Sequence, residues 1–143
     1  MNNENSLAVP LFGEILALDQ LMRNRLAKVL PKGMELSHFS VLNQLSHTKN
    51  ERTPAQIAKS FRVTRGAMTN TLNKLELSGY IHVRPDWEDA RRKMVSISPA
   101  GVLARNNALT AVTPIIEELA KDIGEKRLKA IVPILRELRQ KLE

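Results

Sequence analysis

Arg65, Thr69 and Asn73 recur at four-residue steps, and Gly66, Asn70 and Lys74 repeat the spacing one residue on. On a helix such steps line residues up along one side. The types are suited to reading the edges of base pairs. Arginine donates two parallel hydrogen bonds to guanine, and asparagine pairs with the adenine edge. Threonine meets a phosphate or a thymine methyl, and a glycine lets backbone approach a duplex closely. Thr64, just ahead, is a good helix cap, and the helix start it marks would offer free N–H groups and a positive dipole to a phosphate. The same six residues also suit a plain solvated helix face, so their surroundings must decide.

A second charged group follows. Asp86, Glu88 and Asp89 precede Arg91, Arg92 and Lys93 within eight residues. Arginine is drawn to a narrow minor groove, where negative potential is concentrated. Asp89, two residues before Arg91, can orient the guanidinium through a bidentate contact. A charged hairpin kept soluble by mixed signs is the alternative.

These residues need elements to hold them. Met68, Leu72 and Leu75 give the helix after Thr64 an apolar side, and Gly79 is placed to end it. Before it, Thr53, Pro54 and Gln56 have the spacing of a capping box with proline at the first helical position. Ile57, Ala58 and Phe61 form the inner face of that short helix, and Arg62 and Val63 a tight turn. After Gly79 the period changes to two. Ile81 and Val83 alternate with His82 and Arg84, and Val95 and Ile97 flank Ser96, which predicts strands over Tyr80–Arg84 and Met94–Ser98. Short helix, tight turn, helix and charged hairpin, in that order, make a helix-turn-helix with a wing.

Long apolar helices flank this unit. Leu7–Leu30 repeats apolar residues at three- and four-residue steps until Pro31 and Gly33. Leu36–Ser46 is a second helix with Ser37 as a possible cap, and His47–Arg52 reads as a loop. Ser98 and Pro99 open a helix that Gly124 breaks, and Leu128–Leu142 forms the last. Pro114 and Pro133 fall inside these patterns, where kinks are expected. The fold class is mainly α with a small β-hairpin wing.

Bulk properties exclude several alternatives. The 143 residues suit one domain large enough to form a core unaided. There is no cysteine, so disulfides and thiolate metal sites are out, and a reducing cytoplasm is permitted. Met1–Ser6 is polar and unlike a signal peptide, and no apolar run is long enough to span a bilayer. The expected location is therefore cytoplasmic. His38, His47 and His82 are scattered, and no nucleophile elbow, phosphate loop or HExxH motif is present. No enzyme, cofactor or metal site is expected. The net charge is +7, and residues 53–98, with eight Lys/Arg against four Asp/Glu, supply +4 of it. A basic surface favours polyanions through phosphate neutralisation.

Three segments resemble the MarR family of transcriptional regulators. They are Ala55–Phe61 with Val63–Leu75, then Leu75–Ile81, then Asp86-Trp87-Glu88-Asp89-Ala90-Arg91-Arg92 continuing through Val95, Ile97, Ser98, Pro99, Ala100 and Gly101. The last is the most specific, similar to the family's D-x-R wing followed by a strand and an S/T-x-x-G helix start. Many members carry a basic residue where Ala90 stands, and Arg92 can replace some of that charge. The resemblance implies a single domain over 1–143. In it, 1–35 and 99–143 form a helical dimerisation region and 36–98 a winged DNA-binding lobe. It implies that Arg91 enters the minor groove with Asp89 holding it, while residues from Thr64 onward read the major groove.

It further implies a homodimer on a pseudo-palindromic operator, acting as a repressor and released by a small aromatic or phenolic effector. Met34, His38, Phe39 and Leu42 lie near the expected junction of the two regions, where they would line an effector pocket or simply pack as core and hinge. The competing reading is an architectural or protein-interaction winged helix. Against it stands the mixed Arg65, Thr69, Asn70 and Asn73 face, since phosphate binding alone would call for mainly lysine and arginine.

Overall fold

The computed structural model describes residues 5–143, so Met1–Glu4 of the polar start lie outside the described residues. Six helices and one hairpin follow in the order α1 (Asn5–Val29), α2 (Leu36–Ser46), α3 (Pro54–Phe61), α4 (Arg65–Leu77), β1 (Ile81–Pro85), β2 (Lys93–Ile97), α5 (Pro99–Ile123) and α6 (Glu125–Leu142). The strands pair antiparallel, with Ile81 opposite Ile97 and Pro85 opposite Lys93. Strand β1 lies one residue later, and β2 one residue earlier, than the alternation predicts. Helices α5 and α6 continue through Pro114 and Pro133.

Local chemistry starts most of these elements. The Thr53 hydroxyl accepts from the Gln56 N–H at 3.1 Å, and Gln56 Oε1 accepts from the Thr53 N–H at 3.0 Å, closing the capping box. Arg62, at φ 54°, takes the left-handed conformation that ends α3. Helix α2 departs from expectation, because Ser37 is not its cap. Glu35 holds the extended cap position, and its N–H donates to His38 Nδ1 at 3.1 Å. An imidazole nitrogen replaces the usual carboxylate or amide of a capping box. The loop read over His47–Arg52 also ends differently, since Arg52 bridges Val95 through N–H to carbonyl bonds of 3.0 and 2.7 Å.

Two apolar clusters result. In the first, Leu42 and Leu45 of α2, Ile57 and Ala58 of α3, and Met68, Leu72 and Leu75 of α4 close around Ile81 and Val95. In the second, Leu30, Ala108 and Val112 are packed by Phe39, Leu36 and Leu109 where α1, α2 and α5 meet. Helix α6 buries no residue within the chain. Leu7, Phe12, Leu16 and Leu21 of α1, Ile116 and Ile123 of α5, and Ile131 and Leu135 of α6 all remain exposed.

The end of the hairpin is fastened to the start of α5 through Ser98. Ser98, buried, donates its hydroxyl to the Gly79 carbonyl at 2.6 Å and accepts from the Gly101 N–H at 3.0 Å. The Ser98 N–H meets the Tyr80 carbonyl at 3.0 Å. Helix α5 approaches that turn so closely that a Cβ on Gly101 would lie 2.0 Å from the Tyr80 oxygen.

Candidate nucleic-acid interface

Burial of Met68, Leu72 and Leu75 fixes the rotation of α4 and turns its polar side outward. Arg65, Thr69 and Asn73 then form one wall of a groove of about 530 Å³. The opposite wall comes from the hairpin, through Arg91, Arg92 and Lys93. The start of α3, including Pro54 and Gln56, closes one side. Two stretches well separated in the sequence thus face each other across a single cleft.

The remaining expected contacts surround it. Thr64 caps α4, its hydroxyl accepting from the Ala67 N–H at 3.1 Å. Gly66 is exposed in the first turn, and a Cβ there would meet no atom within 4 Å. Asn70 is exposed on the next row. Lys74 points elsewhere: its ammonium lies 3.9 Å from the Glu35 carboxylate, at the end of α4 far from the cap. Gln56 is legible in the sequence only as a capping residue, yet it also lines the groove. The signal for that is its place in α3, the first helix of a helix-turn-helix, the one that crosses the phosphate backbone where such a motif binds DNA.

At the hairpin tip, Asp89 holds Arg91. Its Oδ1 accepts from Arg91 Nε and from the Arg91 backbone N–H, both at 3.1 Å, and Oδ2 accepts from Nη2 at 3.4 Å. The side-chain bond from Arg91, and then the backbone bond, hold the Asp89 carboxyl below its ordinary value, with Arg92 adding to the effect. The Arg91 side chain is nevertheless 91% exposed, so the carboxylate aims the guanidinium without covering it. Arg92 lies 3.7 Å from Asp86. A third arginine, Arg84, is anchored at the base of the tip by Glu51, whose two oxygens accept from Nε at 3.0 and 2.9 Å.

The four junction residues separate. Leu42 is fully buried in the first cluster, and Phe39 packs on the second. Met34 and His38 line a cavity of about 360 Å³ with Glu35, Lys74 and Tyr80. Burial pushes the His38 imidazole below its ordinary 6.5, Glu35 opposes this, and Lys74 adds to it. No group of three or more His, Asp or Glu residues placed to hold a metal occurs among the described residues.

The family model described as "MarR family" matches residues 32–92, from just before α2 through Arg92. YdgG, an HTH-type transcriptional regulator of Bacillus subtilis, is 25% identical, covering 84% of this chain and 90% of that protein. A mutant E. coli MarR, solved in complex with operator DNA, has the same fold with a TM-score of 0.83 at 22% identity. That match covers 96% of this chain and 99% of the other. The S. aureus MepR–DNA complex is similar at a TM-score of 0.79 and 20% identity, over 89% of this chain and 94% of that one.

Proposed function

We propose that this chain, a member of the MarR family, regulates transcription by binding operator DNA as a homodimer, most simply as a repressor that a small aromatic or phenolic ligand releases. The family is a DNA-binding one and not enzymatic. The observation that carries the reading is the shared cleft: Arg65, Thr69 and Asn73 face Arg91, Arg92 and Lys93 across it, with buried Leu72 at its base. In this role α4 lies in the major groove, where Arg65 and Asn73 discriminate bases. The α4 N-terminus and Gly66 approach the phosphates, Thr64 holding that end in shape. Asn70 extends the contact along the backbone, while Lys74, turned toward Glu35, stands apart from it. Arg91, steadied by Asp89, enters the adjoining minor groove with Arg92 beside it.

The homodimer is supported by the open faces of α1, α5 and α6. Burying one large apolar side chain contributes about 1.5–3 kcal/mol. A handful from each protomer therefore outweighs an association cost of roughly 4–15 kcal/mol. Two-fold pairing presents two α4 helices to one side of a duplex, so the target is a pseudo-palindrome with half-sites about one helical turn apart. For an effector, the cavity beside Met34 and His38 is a candidate position. A ligand there acts only by favouring a lobe spacing that DNA does not accept.

Selection from a random duplex library at two salt concentrations tests the reading. Recovery of a pseudo-palindrome that persists at the higher salt supports it. Retention without sequence enrichment, collapsing as salt rises, refutes sequence-specific regulation and leaves phosphate-driven architectural binding.

A further inference from the structure

Trp87 is the chain's single tryptophan, and it sits at the tip of the wing with 78% of its surface exposed. A ring of that size is ordinarily sheltered, because it offers the largest apolar surface of any side chain. Its neighbours hold it without covering it. The Arg84 guanidinium lies over the ring, 5.1 Å from the centroid. Arg84 is itself fixed by both oxygens of Glu51 and by the Pro85 carbonyl, which accepts from Nη1 at 2.8 Å. The ring is therefore mounted on a braced support, four residues before Arg91.

The surroundings identify what such a ring meets. Val83 and Val95, cross-strand partners, line the cleft with α4. Arg84 follows Val83 and so points from the other face of the hairpin. The wing thus carries Arg91 and Lys93 on its cleft side and the Arg84–Trp87 pair behind the tip. Around the ring Arg84 is paired with Glu51, Arg91 with Asp89 and Arg92 with Asp86. The tip is therefore near charge balance and the exposed ring is its main apolar surface, with the 91% exposed Arg91 side chain four residues on. A duplex offers the matching chemistry, since each minor-groove wall alternates anionic phosphate with the apolar face of a deoxyribose.

We infer that Trp87 is a DNA-contact residue, its ring packing on the deoxyribose wall of the minor groove that receives Arg91. The inference rests on the DNA-binding reading above and adds a contact outside the residues that the family motif marks. It gives the wing an uncharged component of affinity, insensitive to salt, beside the charged one from Arg91.

The test uses the full chain and the duplex recovered by selection, with binding followed by anisotropy of the labelled DNA and by tryptophan emission. Trp87 is the sole reporter. Its emission is expected to change on titration and to saturate with the anisotropy. Trp87→Ala is expected to bind roughly tenfold more weakly, the scale of losing one aromatic contact to nucleic acid, with the parental salt dependence. Trp87→Phe is expected to recover most of the loss. Parental binding with unchanged emission overturns the inference, even if Trp87→Ala weakens binding, because the ring then only props Arg84. An affinity for Trp87→Ala within about twofold of the parent, the usual range of a neutral surface change, also overturns it. A parent that binds no duplex overturns the DNA-binding reading itself, and this inference with it.

Discussion

Gly101→Ala isolates the joint between the winged unit and α5. The new Cβ would sit 2.0 Å from the Tyr80 oxygen and 2.8 Å from Ile97 Cγ1, whereas real Cβ atoms keep at least 3.0 Å. The gap must open by 1 Å or more, the difference between those two distances. Neither side yields freely. The Tyr80 carbonyl is held by the Ser98 N–H at 3.0 Å, and the Tyr80 N–H by the Leu75 carbonyl at 3.0 Å. Ser98 ties the same turn to α5 through Gly79. Overpacking of this kind costs about 1–3 kcal/mol, and each hydrogen bond stretched open adds about 1 kcal/mol. Alanine's better helix propensity returns at most about 1 kcal/mol. The net expectation is a loss of about 2–3 kcal/mol.

Urea and thermal unfolding followed by circular dichroism, at one fixed protein concentration, read this directly. At roughly 2–4 °C per kcal/mol for a chain of this size, the melting temperature should drop by about 4–12 °C. Gly66→Ala is the matched control. It makes the same chemical change in a helix where no atom lies within 4 Å, so stability should hold or rise by up to about 1 kcal/mol. Its effect should fall instead on duplex affinity, through lost backbone approach at the start of α4. Gly101→Ala unfolding within about 0.5 kcal/mol of the parent would refute the close approach and the rigid joint built on it.

Arg65→Ala should relax base preference at one position of each half-site, by about 1–3 kcal/mol of discrimination. Arg91→Ala should weaken binding to all duplexes and reduce the salt slope by about 1 per site; both are read by anisotropy over a salt series. Ile131→Glu combined with Leu135→Glu, two exposed positions of α6, should give a folded monomer by sedimentation and remove cooperative binding to the palindrome. His38 predicts a pH dependence. Burial depresses its pKa in the folded state below the ordinary 6.5, so the unfolded chain takes up the proton first. Stability should be full above that value, fall as pH drops through it, and level off below the folded value. His38→Gln keeps a capping acceptor without a titrating group, so the variant's urea midpoint should lose this slope and the parent-minus-variant difference should show it. A slope that persists in the variant would place the titration elsewhere.

The order of elements was legible because each is signalled by short-range chemistry. Met68, Leu72 and Leu75 are spaced for one side of α4 and are the residues it buries. Thr53, Thr64 and Ser98 carry the caps, and each accepts the expected backbone N–H. What escaped depends on residues far apart, or on unusual partners. The Arg52–Val95 bridge joins a loop to a strand, and no local pattern marks it. His38 caps α2 with a ring nitrogen, outside the residue types that define a capping box. Lys74 continues the four-residue series from Gly66 and Asn70, yet four residues overshoot a full turn by about 40°. By the third member the row has rotated away from the cleft and toward Glu35. Arg65, Thr69 and Asn73 start one residue earlier, and all three still line it.

Beside the second apolar cluster, where Leu36 and Phe39 of α2 pack against Ala108 and Val112 of α5, two polar links of unequal stiffness connect the winged unit to the helices proposed to dimerise. One is the buried Ser98–Gly79–Gly101 contact, short and without space for a methyl group. The other is Arg105 of α5, which donates to Asn43 at 3.0 Å and lies 3.2 Å from His47 Nε2 at the end of α2, on a more exposed surface. An exposed polar link of that kind holds with about 1 kcal/mol, whereas parting the buried one strains backbone and core together. A change of lobe spacing in the proposed homodimer that keeps the Ser98 joint is therefore a rotation about it, with the Arg105 contacts giving way and Leu36 and Phe39 shifting on the second cluster. Such a rotation moves α4 and the wing as one body, since β1 and β2 share the first apolar cluster with α4. Both walls of the cleft would move together, out of the grooves they occupy in the proposed complex. A ligand need only favour the rotated arrangement by a few kcal/mol to lower affinity for the proposed operator by orders of magnitude, without touching the cleft residues.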